Sequence, residues 1–458
     1  MLLCFAGNEI VMKRIFAMWL LLVVAAWAPA QTLTIARVAQ SGDTPPGSAV
    51  PFANAFANGF PAVHSPGTVS FVGNLSSVPS VYTGVGGGPL TLAVANGTVI
   101  PDGGGANFLD FGVSTGNGAG GVAFWGANAT ASPTLQGIYL TSGGTTTRVA
   151  DTTLTAPGQA TVFTGFSSAQ MTAVNGTNVA FRGTFSGGSG LYARFGGSLV
   201  RVADTTTVIP NGTGNFTSLN SNQALNGNVA VFRGTGASSQ QGVYLRDLSN
   251  GANPLLRVTD RTLNLPGTAN LITTIFEPTI SGNAISFIAS AGTGTQRVVR
   301  YLWNGSNTTP AFTESVVTKT GDAVPEQGGL LFTGYQGFAP SDAGNLAVIG
   351  RFNNGADQTG IYFHDGTTLY RVIDTTQLLD NKGISSLLLG QDGVAGNTVT
   401  FQVLFTDNTQ GIYSATFTPV PEPAGLLGLA GLVWWGRRYR RQSAAQRANP
   451  SSKLPVAV

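Results

Sequence analysis

The first groups in this chain that could do chemistry are carboxylates in a repeated setting. Arg-Val-x-Asp recurs at Arg148, Arg201, Arg257 and Arg371, and ends in Asp151, Asp204, Asp260 and Asp374. Two stretches carry a shifted form, Ser41-Gly42-Asp43 and Thr320-Gly321-Asp322. A ring of such carboxylates could bind Ca²⁺ or sugar hydroxyls, since hard cations take oxygen ligands. The clustered acidic spacing of a dedicated calcium loop is missing, however. An Asp leading a turn has a plainer role. It accepts backbone N–H bonds and pairs with a nearby Arg. A Pro or Gly loop follows several of these sites, as at Pro157-Gly158 and Pro266-Gly267, so the turn role is preferred. Ca²⁺ remains the alternative, and no other cofactor is expected.

Other chemistry is sparse. His64 and His364 are the only histidines, and neither has a Cys or a spaced carboxylate to complete a metal site. Phe363-His364-Asp365-Gly366 reads as a hairpin turn. One G-x-S-x-G string occurs, Gly112 to Gly116, but it opens no helix, so no nucleophile elbow is read from it. Glycoside cleavage needs two acids in a special setting. Glu277, Glu314 and Glu326 are the least repetitive acids and make weak candidates. Gly86-Gly87-Gly88 and Gly103-Gly104-Gly105 do not open helices, so they do not read as phosphate cradles. The single cysteine, Cys4, lies outside the body, which excludes disulfides and Cys-based sites there. No catalytic, cofactor-binding or metal residue is assigned, and a non-enzymatic role is expected.

The elements that would position these groups show as a repeat. Tyr82, Tyr139, Tyr192, Tyr244, Tyr301, Tyr362 and Tyr413 are spaced by 57, 53, 52, 57, 61 and 51 residues. Each is expected to sit in the core between sheets, its hydroxyl finding a partner. A second line lies upstream of each Tyr: Phe71, Phe124, Phe181, Phe232, Phe287 and Phe401, with Leu346-Ala347-Val348 in place of the missing one. The Arg-Val-x-Asp line is the third, with looser versions at Val38, Val94 and Val317. A fourth runs through Phe52, Phe108, Phe163, Phe216, Phe276 and Phe332, with Leu387 and its neighbours in the last unit.

Each unit thus holds four short apolar runs separated by Gly, Asn and Pro, which reads as four antiparallel strands. No helical period is sustained in the body. Seven such units predict an all-β fold, a seven-bladed β-propeller. The phase of the ends supports closure. Thr32 to Val38 precedes any complete unit, and the last unit stops at Phe417 without its own Arg-Val strand. The N-terminal strand can therefore complete the final sheet and remove two exposed edges. A β-solenoid or sandwich is the alternative.

Composition agrees. There are 63 glycines among 458 residues, and only 9% of residues are charged. Such a balance suits turn-rich β structure. From Gln31 to Pro423 there are 15 Lys and Arg against 19 Asp and Glu, a net −4. The body is mildly acidic and has no basic patch for nucleic acid.

The ends read as addresses. Met12-Lys13-Arg14, the apolar run from Ile15 to Trp27, and Ala28-Pro29-Ala30 form a signal peptide over residues 1–30, cut by signal peptidase after Ala30. Met12 is the expected start of translation. At the other end, Val420-Pro421-Glu422-Pro423 precedes an uncharged run from Ala424 to Gly436 and then Arg437, Arg438, Arg440 and Arg441. The run is short for a bilayer span, and the arginines should stay cytoplasmic.

Residues 420–441 resemble the PEP-CTERM sorting signal of Gram-negative bacteria, with motif, apolar run and basic cluster in the family's order. The resemblance implies recognition by an exosortase, cleavage near Pro-Glu-Pro, and delivery from the inner membrane to the outer surface or an extracellular matrix. The 17 residues 442–458, a cytoplasmic tail, depart from the family, whose members end soon after the arginines. The body, residues 31–419, resembles a tandem-repeat surface-protein family with an N-x-x-G-x-x-A-F motif. Asn117-Gly120-Ala123-Phe124 fits it fully; Gly227-Ala230 and Gly344-Ala347 fit in part. That family brings no known activity. The expectation is an exported, surface or matrix protein presenting a β domain for adhesion, exopolysaccharide contact or assembly. A secreted carbohydrate-active or other hydrolytic propeller is the alternative.

Overall fold

Runs of Val, Ile, Phe and Tyr favour extended backbone, and Gly- and Asn-containing turns fold such runs into hairpins. In the computed structural model this gives 33 strands and one short 3₁₀ turn, Ala237–Ser239, among the described residues. The structure describes residues 31–419 except 54–55, 57–59, 65–66, 77, 117–120, 169–171, 220–222 and 293. Ala28 and Ala30, Val420 to Pro423, the arginines from Arg437 to Arg441, and Asn117 and Gly120 of the N-x-x-G-x-x-A-F motif lie outside the described residues. So does the apolar run 424–436. Among the described residues no helix is long and apolar enough to cross a membrane.

Thr34–Thr416 forms one compact unit, separate from the segments that flank it in sequence. Its strands make seven antiparallel sheets of four or five strands, each continuous in sequence apart from the last. The first strand of a blade is usually broken. In blade 3 the outer piece Phe163–Phe166 and the inner piece Ala173–Asn175 both pair with Asn178–Phe185. Blade 7 shows the same break as a register shift between Leu389 and Val394. The inner pieces follow one another around a centre: Ala62–His64, Asp110–Gly116, Ala173–Asn175, Ala224–Asn226, Thr279–Ser281, Ser341–Asp342 and Lys382–Ala395. The last of these returns to the first. That closed succession is a seven-bladed propeller, and it sets the open solenoid aside. The strand Gln31–Gln40 lies beside Gln410–Pro419 as the outermost strand of blade 7. The N-terminal strand therefore closes the ring as the phase of the repeats predicts.

The aromatic lines converge inside each blade. In blade 3, Phe163 meets the Tyr192 ring edge-on at 4.9 Å and 89°, while Phe181 lies opposite Tyr192 across the ladder. The same edge contact joins Phe52 to Tyr82, Phe108 to Tyr139, Phe216 to Tyr244 and Phe332 to Tyr362. All seven tyrosines are buried, but the hydroxyls of Tyr139, Tyr192 and Tyr362 have no hydrogen-bond partner, contrary to expectation, because they are enclosed among packed side chains. Such pairs add about 0.5–1.5 kcal/mol beyond the area they bury. Glycines make room for them. A Cβ on Gly190 would come 2.9 Å from the Tyr192 hydroxyl, and one on Gly183 would come 2.7 Å from the Phe163 ring.

Three positions differ from the sequence expectation. Val299, not Tyr301, holds the rung taken by tyrosine elsewhere, because Phe287 pairs with Val299. Tyr301 lies two residues further along, stacked on Phe287 at 5.5 Å and 8°, its hydroxyl 3.4 Å from Thr259 Oγ1 of blade 4. The first-strand slot of blade 5 holds buried Ile272, not Phe276. The Ile272 N–H bonds to Leu263 O as the Phe216 N–H bonds to Thr207 O. In blade 7 that slot holds Ile384, opposite Phe405, and Leu387 lies inward of it. Phe405 itself supplies the edge contact to Tyr413. In blade 5 an aliphatic side chain fills each slot where a nearby aromatic had suggested a match.

Candidate functional site

The repeated aspartates sit just past a bulge. In six blades the third and fourth strands slip register at one rung, for example between Leu191 and Tyr192. In the four blades with the motif, the slip sets Arg opposite Tyr and Asp opposite Gly. The aspartates are then turned inward, and Asp151, Asp204 and Asp374 have no exposed side-chain surface. Each pairs with its own Arg at 2.9–3.3 Å. Each also accepts the backbone N–H of the Thr two residues on, at 2.9 Å: Thr153, Thr206, Thr262 and Thr376. Burial would raise the Asp204 and Asp260 carboxyls. Hydrogen bonds from Thr206 and Arg201, and from Thr262 and Arg257, outweigh it and hold both below the usual carboxylate value. The shifted Asp43 and Asp322 do related work. Their Oδ2 atoms accept the N–H groups of Gln40 and Lys319, three residues back.

These groups also stitch neighbouring blades. Gln159, in the loop after blade 2, donates to Asp204 of blade 3 at 2.9 Å, and Gln327 donates to Asp374 at 2.7 Å. Glutamines opening the third strand do likewise. The Oε1 atoms of Gln136, Gln241 and Gln296 accept N–H groups of Phe166, Ile275 and Tyr335 in the next blade. Gln410 makes this bond across the closing seam, to the Phe56 N–H at 3.0 Å. The repeated carboxylates are thus engaged in turns and blade contacts. Among the described residues no group of three or more His, Cys, Asp or Glu could hold a metal ion.

The structure does not bring the two histidines together in one blade. His64 is buried at the end of the inner strand Ala62–His64. His364 ends the strand Asp357–His364 of blade 6, and its Nδ1 accepts the Gly366 N–H. Burial and the nearby Arg300 push its imidazole below the ordinary value. Asp365 caps the turn that follows, as the sequence suggests. Of the three glutamates, Glu314 is exposed on its strand. Glu326 is exposed and paired with Arg371 at 2.7 Å. Glu277 is enclosed, with Oε1 2.8 Å from Arg233 Nη2, and burial carries its carboxyl up to about 7 against the pull of Arg233.

The distinctive site is one that repeat-based reading passes over. In blade 7 the first strand breaks its ladder between Leu389 and Val394, and Gln391 and Asp392 lie within that break. Gln391 reaches across the channel, its Nε2 donating to Gln223 O of blade 4 at 2.8 Å and to Pro278 O of blade 5 at 3.3 Å. Asp392 is partly accessible, but its Oδ2 is enclosed and has no protein partner. Burial raises that carboxyl to about 7. Both residues line a cavity of about 210 Å³ with His64, Asn175, Asn226 and Asp342. The hairpin tips around it are tied blade to blade. Asp342 accepts the Gly396 N–H at 2.7 Å, and Asn345 donates to Gly396 O at 3.0 Å. The available signal was an acid in Gly390-Gln391-Asp392-Gly393 that belongs to no repeated line.

A family of unknown function (DUF7453) matches residues 80–248, under half of the chain. No curated protein matches. Among solved structures, the WD40 domain of Toxoplasma gondii coronin is similar, at 12% identity and a TM-score of 0.38, covering 86% of this chain and 88% of that one. Prolyl oligopeptidase B from Galerina marginata is similar at 11% identity and a TM-score of 0.41, covering 76% of this chain and 47% of that one. An uncharacterized protein from Listeria monocytogenes is similar at 11% identity and a TM-score of 0.39, covering 79% and 96%.

Proposed function

We propose that this is an exported protein, handled by signal peptidase and an exosortase-type enzyme, that presents a propeller at the outer surface or in the extracellular matrix for polysaccharide contact or assembly. One observation carries the binding part. The repeated Asp and Gln side chains are engaged in turns and blade contacts, whereas Gln391 Oε1 and Asp392 Oδ2, on residues that line the central cavity, have no protein partner. That arrangement favours a rigid, non-enzymatic scaffold with one recognition site. The export part is supported by Ala28-Pro29-Ala30 and Val420-Pro421-Glu422-Pro423. Mass measurement of the mature protein from cells tests it. The expected product begins after Ala30 and lacks everything beyond about Pro423. Full-length chain in the cytosol would contradict it.

A hydrolytic propeller is the second reading. What favours it is that two non-repeated acids, Glu277 and Asp392, are both shifted toward neutrality by burial, as catalytic acids often are. Incubation with polysaccharides separates the two. Binding without product supports the scaffold, and release of shorter chains supports the enzyme.

A further inference from the structure

We propose that the central channel binds a single neutral sugar unit, held by Gln391 and Asp392 on one wall and by Asn175 and Asn226 on the other. This rests on the polysaccharide-contact reading and gives it a site. Gln391 is only 4% exposed, yet its Oε1 has no protein partner. Its Nε2 is anchored on two carbonyls across the channel, so the amide is fixed and the oxygen is left as an acceptor. A buried acceptor without a donor is costly, and a ligand hydroxyl removes that cost. The next residue, Asp392, supplies a second enclosed acceptor.

The walls suit a sugar better than an ion. Val174, Leu225 and Ile280 offer apolar surface to ring C–H groups, while Asn side chains can both donate and accept. A bare cation would need several oxygen ligands converging on one point, and among the described residues no three acids or histidines do so. A cavity of about 210 Å³ has room for a small ligand as well as for water.

The test uses the purified full chain and ligand-observed NMR titration with D-glucose, D-galactose and D-mannose, with putrescine followed the same way and CaCl₂ followed by calorimetry as parallel arms. At least one hexose should bind saturably. Asp392→Asn, which keeps the side-chain shape, and Asn226→Ala should each weaken it by about tenfold, the loss expected for one hydrogen bond to a charged or enclosed partner. Cooperative thermal unfolding at or above the parent's midpoint would show that both variants are folded. No saturable hexose binding overturns the proposal. So does hexose binding that neither variant alters. Saturable CaCl₂ or putrescine binding that Asp392→Asn abolishes, with no hexose binding, also overturns it and assigns a cation site. Where the chain resides in the cell is read independently by fractionation, so failure of the export reading is distinguishable from failure of the channel site.

Discussion

The Asp204 turn and the Asp392 segment are both built around an enclosed carboxylate, yet burial has opposite consequences in them. Asp204 receives donors from Thr206, Arg201 and Gln159, and its carboxyl is held low. Asp392 has an Oδ2 with no protein donor, and burial pushes its carboxyl to about 7. The first arrangement recurs around the ring and holds it together. The second belongs to no repeated line and lines the channel. Burial alone does not decide which way a carboxyl shifts; the balance between burial and the donors that reach it does.

The largest break in this comparison is Asp204→Ala. It strips the turn of its cap and leaves the half-buried Arg201 without its carboxylate, so stability should fall by roughly 3–5 kcal/mol in chemical denaturation. A loss under 1 kcal/mol would mean that the repeated aspartates are decorative.

Asp392→Asn should act in the opposite direction. An acid whose folded pKa lies above its unfolded value costs nothing while both states are protonated, below about pH 4. Folding stability then falls as pH rises toward 7 and levels off above it. The variant should therefore match the parent at pH 4 and exceed it by about 2–4 kcal/mol at pH 8. Denaturant midpoints at the two pH values check this, and equal differences at both would contradict it.

Gln410→Ala and Gln241→Ala sharpen the comparison at the seam. Each removes one bond to the next blade's backbone, Gln410→Ala also the bond from Gln402 Nε2 in its own blade, so the cost should be about 1–2 kcal/mol at Gln241 and up to about twice that at Gln410. A much larger loss at Gln410 would make the closing seam the weak point of the ring. The smallest effect is expected at Arg351→Ala. Its pairing with Asp357 spans 4.0 Å between exposed side chains, so stability should change by no more than about 0.5 kcal/mol.

Much of this architecture could be read from the sequence because it is written seven times. Tyr192 and Phe181 recur where blades must fill the same space, and Asp204 recurs where each bulge must be capped. The missing fourth strand of the last unit announced closure. The misassignments share one cause. Tyr301 and Phe276 are aromatic and near the right spacing, but Val299 and Ile272 fill the slots, and spacing alone does not distinguish a rung from its neighbour. The Gln410 bond was out of reach because its partner, Phe56, lies 354 residues away. Gln391 and Asp392 were hidden for the converse reason. They belong to no repeated line, and the channel they face exists only once the ring has closed.

The most direct test is a carboxyl ¹³C NMR titration of the full chain, with Asp392 assigned by loss of its signal in Asp392→Asn and Asp204 by loss in Asp204→Asn. The Asp392 carboxyl should titrate near pH 7 and that of Asp204 below the ordinary Asp value of about 3.9. If Asp392 titrated near 4, or if the two behaved alike, the distinction between a satisfied structural ring and an unsatisfied channel site would be wrong.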